Sequence, residues 1–140
     1  MKVYYTEGDR PISQIGDALE SLGKTLHDRR NAGEESYTYR LIQGNLETLL
    51  KKINEEAFET ALAAKDFEQS GRDSNEQDHL RYEAADVIYH LLVLMERCDI
   101  SLDELAAELN MRMGEDELAG RSGIALLNKD QINRGLHIEK

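Results

Sequence analysis

Five carboxylates carry the first chemical signal in this chain. In the run NEEAFETALAAKD, Glu55, Glu56 and Glu59 crowd one helical turn among Ala57, Phe58, Ala61 and Leu62, although like charges at i,i+4 weaken a helix. A second run, RYEAADVIYHLL, repeats the three-residue spacing with Glu83 and Asp86, and His90 stands one turn further along the same side. At about 100° per residue, Glu56 and Glu59 fall about 60° apart and Glu55 and Glu59 about 40° apart, with Lys52 on the same side. Positions 60 to 82 separate the two clusters, enough for the end of one helix, a loop and the start of another. The helices can therefore run antiparallel and set the pairs face to face.

Carboxylates pressed together inside a bundle repel, and some take up protons unless a cation lies among them. Oxygen ligands in that number suit Mg²⁺ or Mn²⁺ and not Zn²⁺. A single E-x-x-E is ordinarily a solvated helix face, since glutamate is a good helix former. Two such pairs, each set in an apolar run, are harder to explain that way. His90 taken alone reads first as a hydrogen-bonded core or edge histidine and only second as a ligand.

The elements that must position these groups are helices. Apolar residues recur at three-and-four spacing, no segment alternates like a half-buried strand, and the one proline is Pro11. The fold class is all-α, a helical bundle. A first helix at about 12–30 carries Ile12, Ile15, Leu19, Leu22 and Leu26 as a seam and ends at Asn31-Ala32-Gly33. A short helix begins near Ser36 and breaks at Gly44-Asn45.

The glutamate-bearing helix spans about 45–66, with Leu46, Leu49, Leu50, Ile53, Ala57, Ala61 and Ala64 as its expected packing stripe. Residues 67–79 read as an exposed, mobile loop. From Leu80 to Met95 the next helix is apolar nearly all round and must be covered on more than one side. Ser101 and Glu104 form a capping signature for a last bundle helix, which Gly114 stops. The whole chain 1–140 reads as a single domain, with a core at about 12–113 and an extension at 114–140. In that extension IALL at 124–127, Ile132, Leu136 and Ile138 need something to pack against.

Composition excludes several functions. A net charge of -11, without a dense block of Lys and Arg, disfavours nucleic acid. No run approaches the roughly 18 apolar residues of a membrane span, and the start MKVYYTEGDR has no signal-peptide pattern. The expected location is cytoplasmic. The single Cys98 builds neither an internal disulfide nor a cysteine metal cluster and is expected in the core near a helix end. An acidic protein that handles phosphates needs a metal to reverse the sign of its site.

The E-E-x-x-E of Glu55, Glu56 and Glu59, followed by the E-x-x-D of Glu83 and Asp86, resembles the metal motif of the all-α nucleoside triphosphate pyrophosphatases. With SYTYRL, LLKKINEEAFETALAAKD and YEAADVIYHLLVLM beside it, the chain over roughly 15–113 is similar to the phosphoribosyl-ATP pyrophosphatase family of histidine biosynthesis. That resemblance implies a homodimer that hydrolyses the α–β phosphoanhydride bond of phosphoribosyl-ATP. It implies Mg²⁺ held by Glu56, Glu59, Glu83 and Asp86. Glu55 and Glu56 are the candidate catalytic pair, with Glu55 a further ligand or the base that orients the attacking water.

Arg40, Lys51 and Lys52 are the nearest phosphate partners, and His90 is a candidate substrate contact. Asn54, where the family has a glycine, and the bulky Phe58 depart from the pattern and are expected to reshape the pocket. A MazG-like or dUTPase-like pyrophosphatase would share the carboxylates. A non-catalytic helical dimerisation module would carry them without turnover.

Overall fold

The computed structural model describes residues 8, 9 and 12–132, and every regular element among them is helical. They fall into two compact units divided between Cys98 and Asp99. The first holds every candidate site residue.

Helix α1 (Gln14–Asp28) starts where the Ser13 hydroxyl accepts the Gly16 N–H at 3.0 Å. A 3-10 turn, Arg29–Asn31, and Gly33 at φ 96° end it. Of the expected seam only Leu26 is buried, Leu19 and Leu22 are half-buried, and Ile12 and Ile15 are exposed. Helix α2 (Tyr37–Gln43) is opened by Ser36, whose hydroxyl accepts the Tyr39 N–H, and it buries Thr38, Leu41 and Ile42. It stops at Gly44, where a Cβ would sit 2.4 Å from the Arg40 carbonyl oxygen, so no larger residue fits.

Helices α3 (Leu46–Gln69) and α4 (Ser74–Arg97) form a long hairpin, capped at their starts by Asn45 and Asp73. The expected loop at 67–79 is a correction: only residues 70–73 lie outside the helices. Gly71 and Arg72 take left-handed conformations (φ 73° and 68°), and the Asp73 carboxylate accepts the Asn75 and Glu76 N–H groups. The polar composition of that stretch encodes a cap and solvated helical turns instead of an open loop.

The inward face of α3 is also rotated from the expected stripe. Leu49, Glu56, Ala63 and Phe67 are buried, whereas Ala57 and Ala61 are exposed. Ala57, Ala61 and Ala64 lie within about 60° of one another beside Leu46 and Leu50, while Leu49, Ala63 and Phe67 form a second apolar arc about 80° round the helix, so spacing alone does not choose between the two. The partner helix decides, and α4 meets α3 with Glu83, His90, Leu92 and Val93 among its buried residues. Phe58, 64% exposed, lies about 160° round from Glu56 and does not crowd it. Cys98, expected in the core, is exposed at the C-cap of α4.

The C-terminal end of α4 is clamped on two sides. Arg97 donates from one guanidinium nitrogen to the carbonyl oxygens of Leu41, Ile42 and Gly44 at 3.0, 3.0 and 2.8 Å. It thereby caps α2, whose last carbonyls have no helical partner. Glu96 accepts from Arg30 Nε at 2.6 Å and from His27 Nδ1 at 2.8 Å, and a second Arg30 nitrogen reaches the Glu96 carbonyl.

In the second unit, α5 (Leu102–Asn110) begins at Ser101, which accepts the Glu104 N–H at 3.1 Å. It ends at Asn110, before Gly114; that glycine instead opens a four-residue helix, α6 (Glu115–Leu118), and donates its N–H to the Glu117 carboxylate. The Asn110 amide holds the Ala125 carbonyl at 2.9 Å, so IALL is tied to α5. Leu136 and Ile138 lie outside the described residues.

Replacing Arg97 with Ala strands three carbonyls at the end of α2. Urea denaturation is expected to show a loss of about 2 kcal/mol.

Candidate active site

Glu56 and Glu83 occupy middle turns of α3 and α4, and the hairpin turns both inward to 7% and 8% exposure. With Glu59, which is exposed at the rim, they form a triad in which one carboxylate oxygen from each lies within 4.8 Å of the others. Three of the four expected ligands therefore converge. Asp86 lies outside that triad, half-buried one turn beyond Glu83, yet close enough that its charge acts on Glu56.

Two oxygens in the cluster, Glu56 Oε2 and Glu83 Oε2, are buried without a hydrogen-bond partner. A buried polar atom left unmatched costs about 1–3 kcal/mol and more when charged. Burial, then the charges of Asp86 and Glu59, push the Glu56 carboxyl up to about 7, while Lys52, 3.8 Å away, pulls the other way. Two unmatched buried oxygens in an all-oxygen set are the donor chemistry of a hard divalent cation. A helix that buries such groups forgoes the apolar contacts that other residues would make there.

The remaining candidates divide. Lys52 stands at the edge of the cluster. Glu55 shares a turn with Glu56 but is exposed and outside the triad. Arg40 and Lys51 are exposed too, and Arg40 donates to the Glu34 carbonyl at 2.7 Å. His90 is buried, hydrogen-bonded through Nε2 to the Tyr37 hydroxyl and through Nδ1 to the Asp86 carbonyl, as the core-histidine reading expects. Tyr89 and Thr38 pair their hydroxyls across the same two helices.

Sequence reasoning missed His79, whose Nε2 lies 3.1 Å from Glu83 Oε1. Its i−4 position to Glu83 is visible in the sequence, but it fell in the stretch read as loop. Tyr37 was also missed as a site residue, because its partner is 53 positions away.

An α-helical hairpin with carboxylates converging from both arms defines an all-α protein with a partly buried acidic cluster. The match with known proteins is specific: residues 19–113 fit the family model of phosphoribosyl-ATP pyrophosphohydrolase, and the chain belongs to that family. Three proteins curated as phosphoribosyl-ATP pyrophosphatase are similar to it. That of Ralstonia pickettii is 38% identical over 104 residues, 71% of this chain and 84% of the relative. That of Rhodobacter capsulatus is 41% identical over 109 residues, covering 77% and 92%, and that of Rhodopirellula baltica 42% over 105, covering 74% and 83%.

The carboxylate cluster sets a pH dependence. Glu56 titrates at about 7 in the fold against 4.5 ordinarily, so between those values the folded chain holds a proton that the unfolded chain has lost. Metal-free stability is therefore expected to fall as pH rises from about 5 to about 8, by on the order of 2–3 kcal/mol. Glu59→Gln removes one repelling charge and should flatten that slope. Mg²⁺ should stabilise the wild type most at high pH and the variant much less, as read by thermal melts at three pH values with and without the ion.

Proposed function

We propose that this chain hydrolyses phosphoribosyl-ATP to phosphoribosyl-AMP and pyrophosphate, the second step of histidine biosynthesis, as a Mg²⁺-dependent homodimer in the cytoplasm. The observation that carries the reading is the convergence of Glu56, Glu59 and Glu83 around two unmatched buried oxygens in a chain of this family. Among the described residues no helix is long and apolar enough to cross a membrane, which accords with a nucleotide substrate in aqueous solution.

Glu56, Glu59 and Glu83 would hold the ion, Mg²⁺ or in its place Mn²⁺, with Asp86 the fourth candidate ligand. Such an ion supplies neutralisation of the triphosphate and acidification of water. The protein's own groups do the rest. The hairpin holds the carboxylates in place before substrate arrives, so little reorganisation is needed. Lys52 brings a positive charge to the edge of the acidic cluster, where a triphosphate would otherwise be repelled. Glu55, exposed on the same turn, is the candidate base for the attacking water, and Arg40 and Lys51 are candidate phosphate partners at the surface.

A second copy is the reading for the uncovered apolar residues. Leu46, Leu50, Phe58 and Leu62 of α3 and Ile88 and Leu91 of α4 are all exposed in the single chain. Large apolar side chains left exposed in this number point to an interface, and two-fold pairing is its commonest form. Light scattering at micromolar concentration should give twice the mass of one chain; a monomer there would remove the dimer.

Pyrophosphate release is the deciding assay. With Mg²⁺ present, phosphoribosyl-ATP should be turned over at least about tenfold more efficiently than ATP, dUTP or dCTP. Equal or faster hydrolysis of a free nucleotide would reassign the protein to a MazG-like or dUTPase-like role. Release from none of them would leave a non-catalytic helical module.

A further inference from the structure

His90 has nothing left to offer a ligand. It is 4% exposed, and both ring nitrogens are engaged within the chain. Nδ1 lies 2.8 Å from the Asp86 carbonyl oxygen, which can only accept, so Nδ1 carries the proton. In the neutral imidazole the lone pair is then at Nε2, 3.1 Å from the Tyr37 hydroxyl, and Tyr37 must donate. Edge-on contacts with the rings of Tyr37 and Tyr89, centroids 6.3 and 5.2 Å away, restrain the imidazole from turning. The neighbouring hydroxyl pair of Thr38 and Tyr89 ties α2 to α4 beside it.

The consequence falls on Tyr37. Its one proton is committed to His90, so the lone pairs of its phenolic oxygen are what it can present to another group. The side chain is not enclosed: the residue is 44% exposed. The bond through His90 to the Asp86 carbonyl ties that oxygen to the acidic turn of α4; burial raises its pKa, Lys52 lowers it, and Tyr89, Glu56 and Asp86 raise it. A phosphate at neutral pH has only acceptors to offer and cannot bond to such an oxygen. A sugar hydroxyl can.

We infer that Tyr37 is a substrate-positioning group that accepts a hydrogen bond from a ribose hydroxyl of the substrate, and that His90 is the positioning residue that fixes its orientation. The inference rests on the proposed reaction and adds to it a way of telling a ribose-bearing end from a phosphate end. The tyrosine holds the sugar side while the carboxylates face the phosphates. It replaces the expected direct contact between His90 and substrate with an indirect one.

The test is Tyr37→Phe, a change at a half-exposed ring that removes one oxygen. KM for phosphoribosyl-ATP should rise about fivefold to tenfold with kcat within about threefold, the signature of lost binding rather than lost chemistry. The Mg²⁺-induced rise in melting temperature, measured without substrate, should match the wild type, because the variant keeps all the carboxylates. His90→Phe should raise KM similarly, and the double variant should add little to either. If His90→Phe does not fold, Tyr37→Phe decides alone.

The counterpart of the substrate made from 2′-deoxyadenosine triphosphate tests one hydroxyl in particular. Loss of the Tyr37 effect on it assigns the donor to the adenosine 2′-hydroxyl, and persistence assigns it to the adenosine 3′-hydroxyl or to the other ribose. An unchanged KM in Tyr37→Phe, or a loss confined to kcat, overturns the inference while leaving the proposed reaction intact. Absence of wild-type turnover would instead remove the reaction itself.

Discussion

The cost of burying Glu56 and Glu83 opposite each other is the constraint on which the rest of the first unit depends. Each carboxylate loses most of its water, and their charges, with those of Glu59 and Asp86, oppose one another. Penalties of several kcal/mol per buried ion are usual. They are offset by apolar burial on the same helices, where Leu49, Phe67, Leu92 and Val93 are nearly or wholly enclosed, each contributing about 1.5–3 kcal/mol. They are relieved further by taking up a proton, which is why Glu56 titrates near neutrality. A cation would relieve the same repulsion, so the feature that weakens the fold is also the one that would draw in a ligand.

A strained pair of helices needs bracing away from the strain. The braces sit at the far end of α4, where Arg97 gathers the carbonyls of α2 and Glu96 gathers Arg30 and His27. Arg30 uses two donors of its guanidinium plane, whereas Arg97 gathers its carbonyls through a single nitrogen. These contacts fix α2 in rotation and height. That in turn sets Tyr37 and Thr38 against His90 and Tyr89, and so links the short helix to the rim of the carboxylate cluster. Bracing and site are therefore one arrangement, with α2 the connecting piece.

The single chain leaves part of the apolar surface of its long hairpin uncovered. Phe58 and Leu62 on α3 and Ile88 and Leu91 on α4 stay in contact with solvent, and the exposed Ala57 and Ala61 give that side of α3 a low profile. Small residues beside large ones allow close helix approach. The second unit is built differently: short helices and a tail held by side-chain contacts to the backbone, such as Asn110 to Ala125. None of the candidate ligands belongs to it.

Much of this was legible without coordinates. Ser36 and Ser101 cap helices because a hydroxyl three residues before an unpaired N–H is a local matter. The all-α class and the pairing of Glu56 and Glu59 with Glu83 follow from helical spacing and from motifs that carry the family resemblance. The choice of inward face on α3, the brevity of the loop before Asp73, the exposure of Cys98 and the identity of the partner of His90 did not. Helix α3 carries two apolar arcs, one through Leu50, Ala57 and Ala61 and one through Leu49, Ala63 and Phe67, until a partner selects one, and a polar stretch reads alike as loop or solvated helix. A histidine's hydrogen bonds depend on a tyrosine 53 positions away. The sequence by itself determined which groups could do chemistry and the helices that carry them, since both depend on residues a few positions apart. Only the tertiary structure decided which groups are desolvated, because burial is a property of what packs on top, and packing joins residues that the chain keeps far apart.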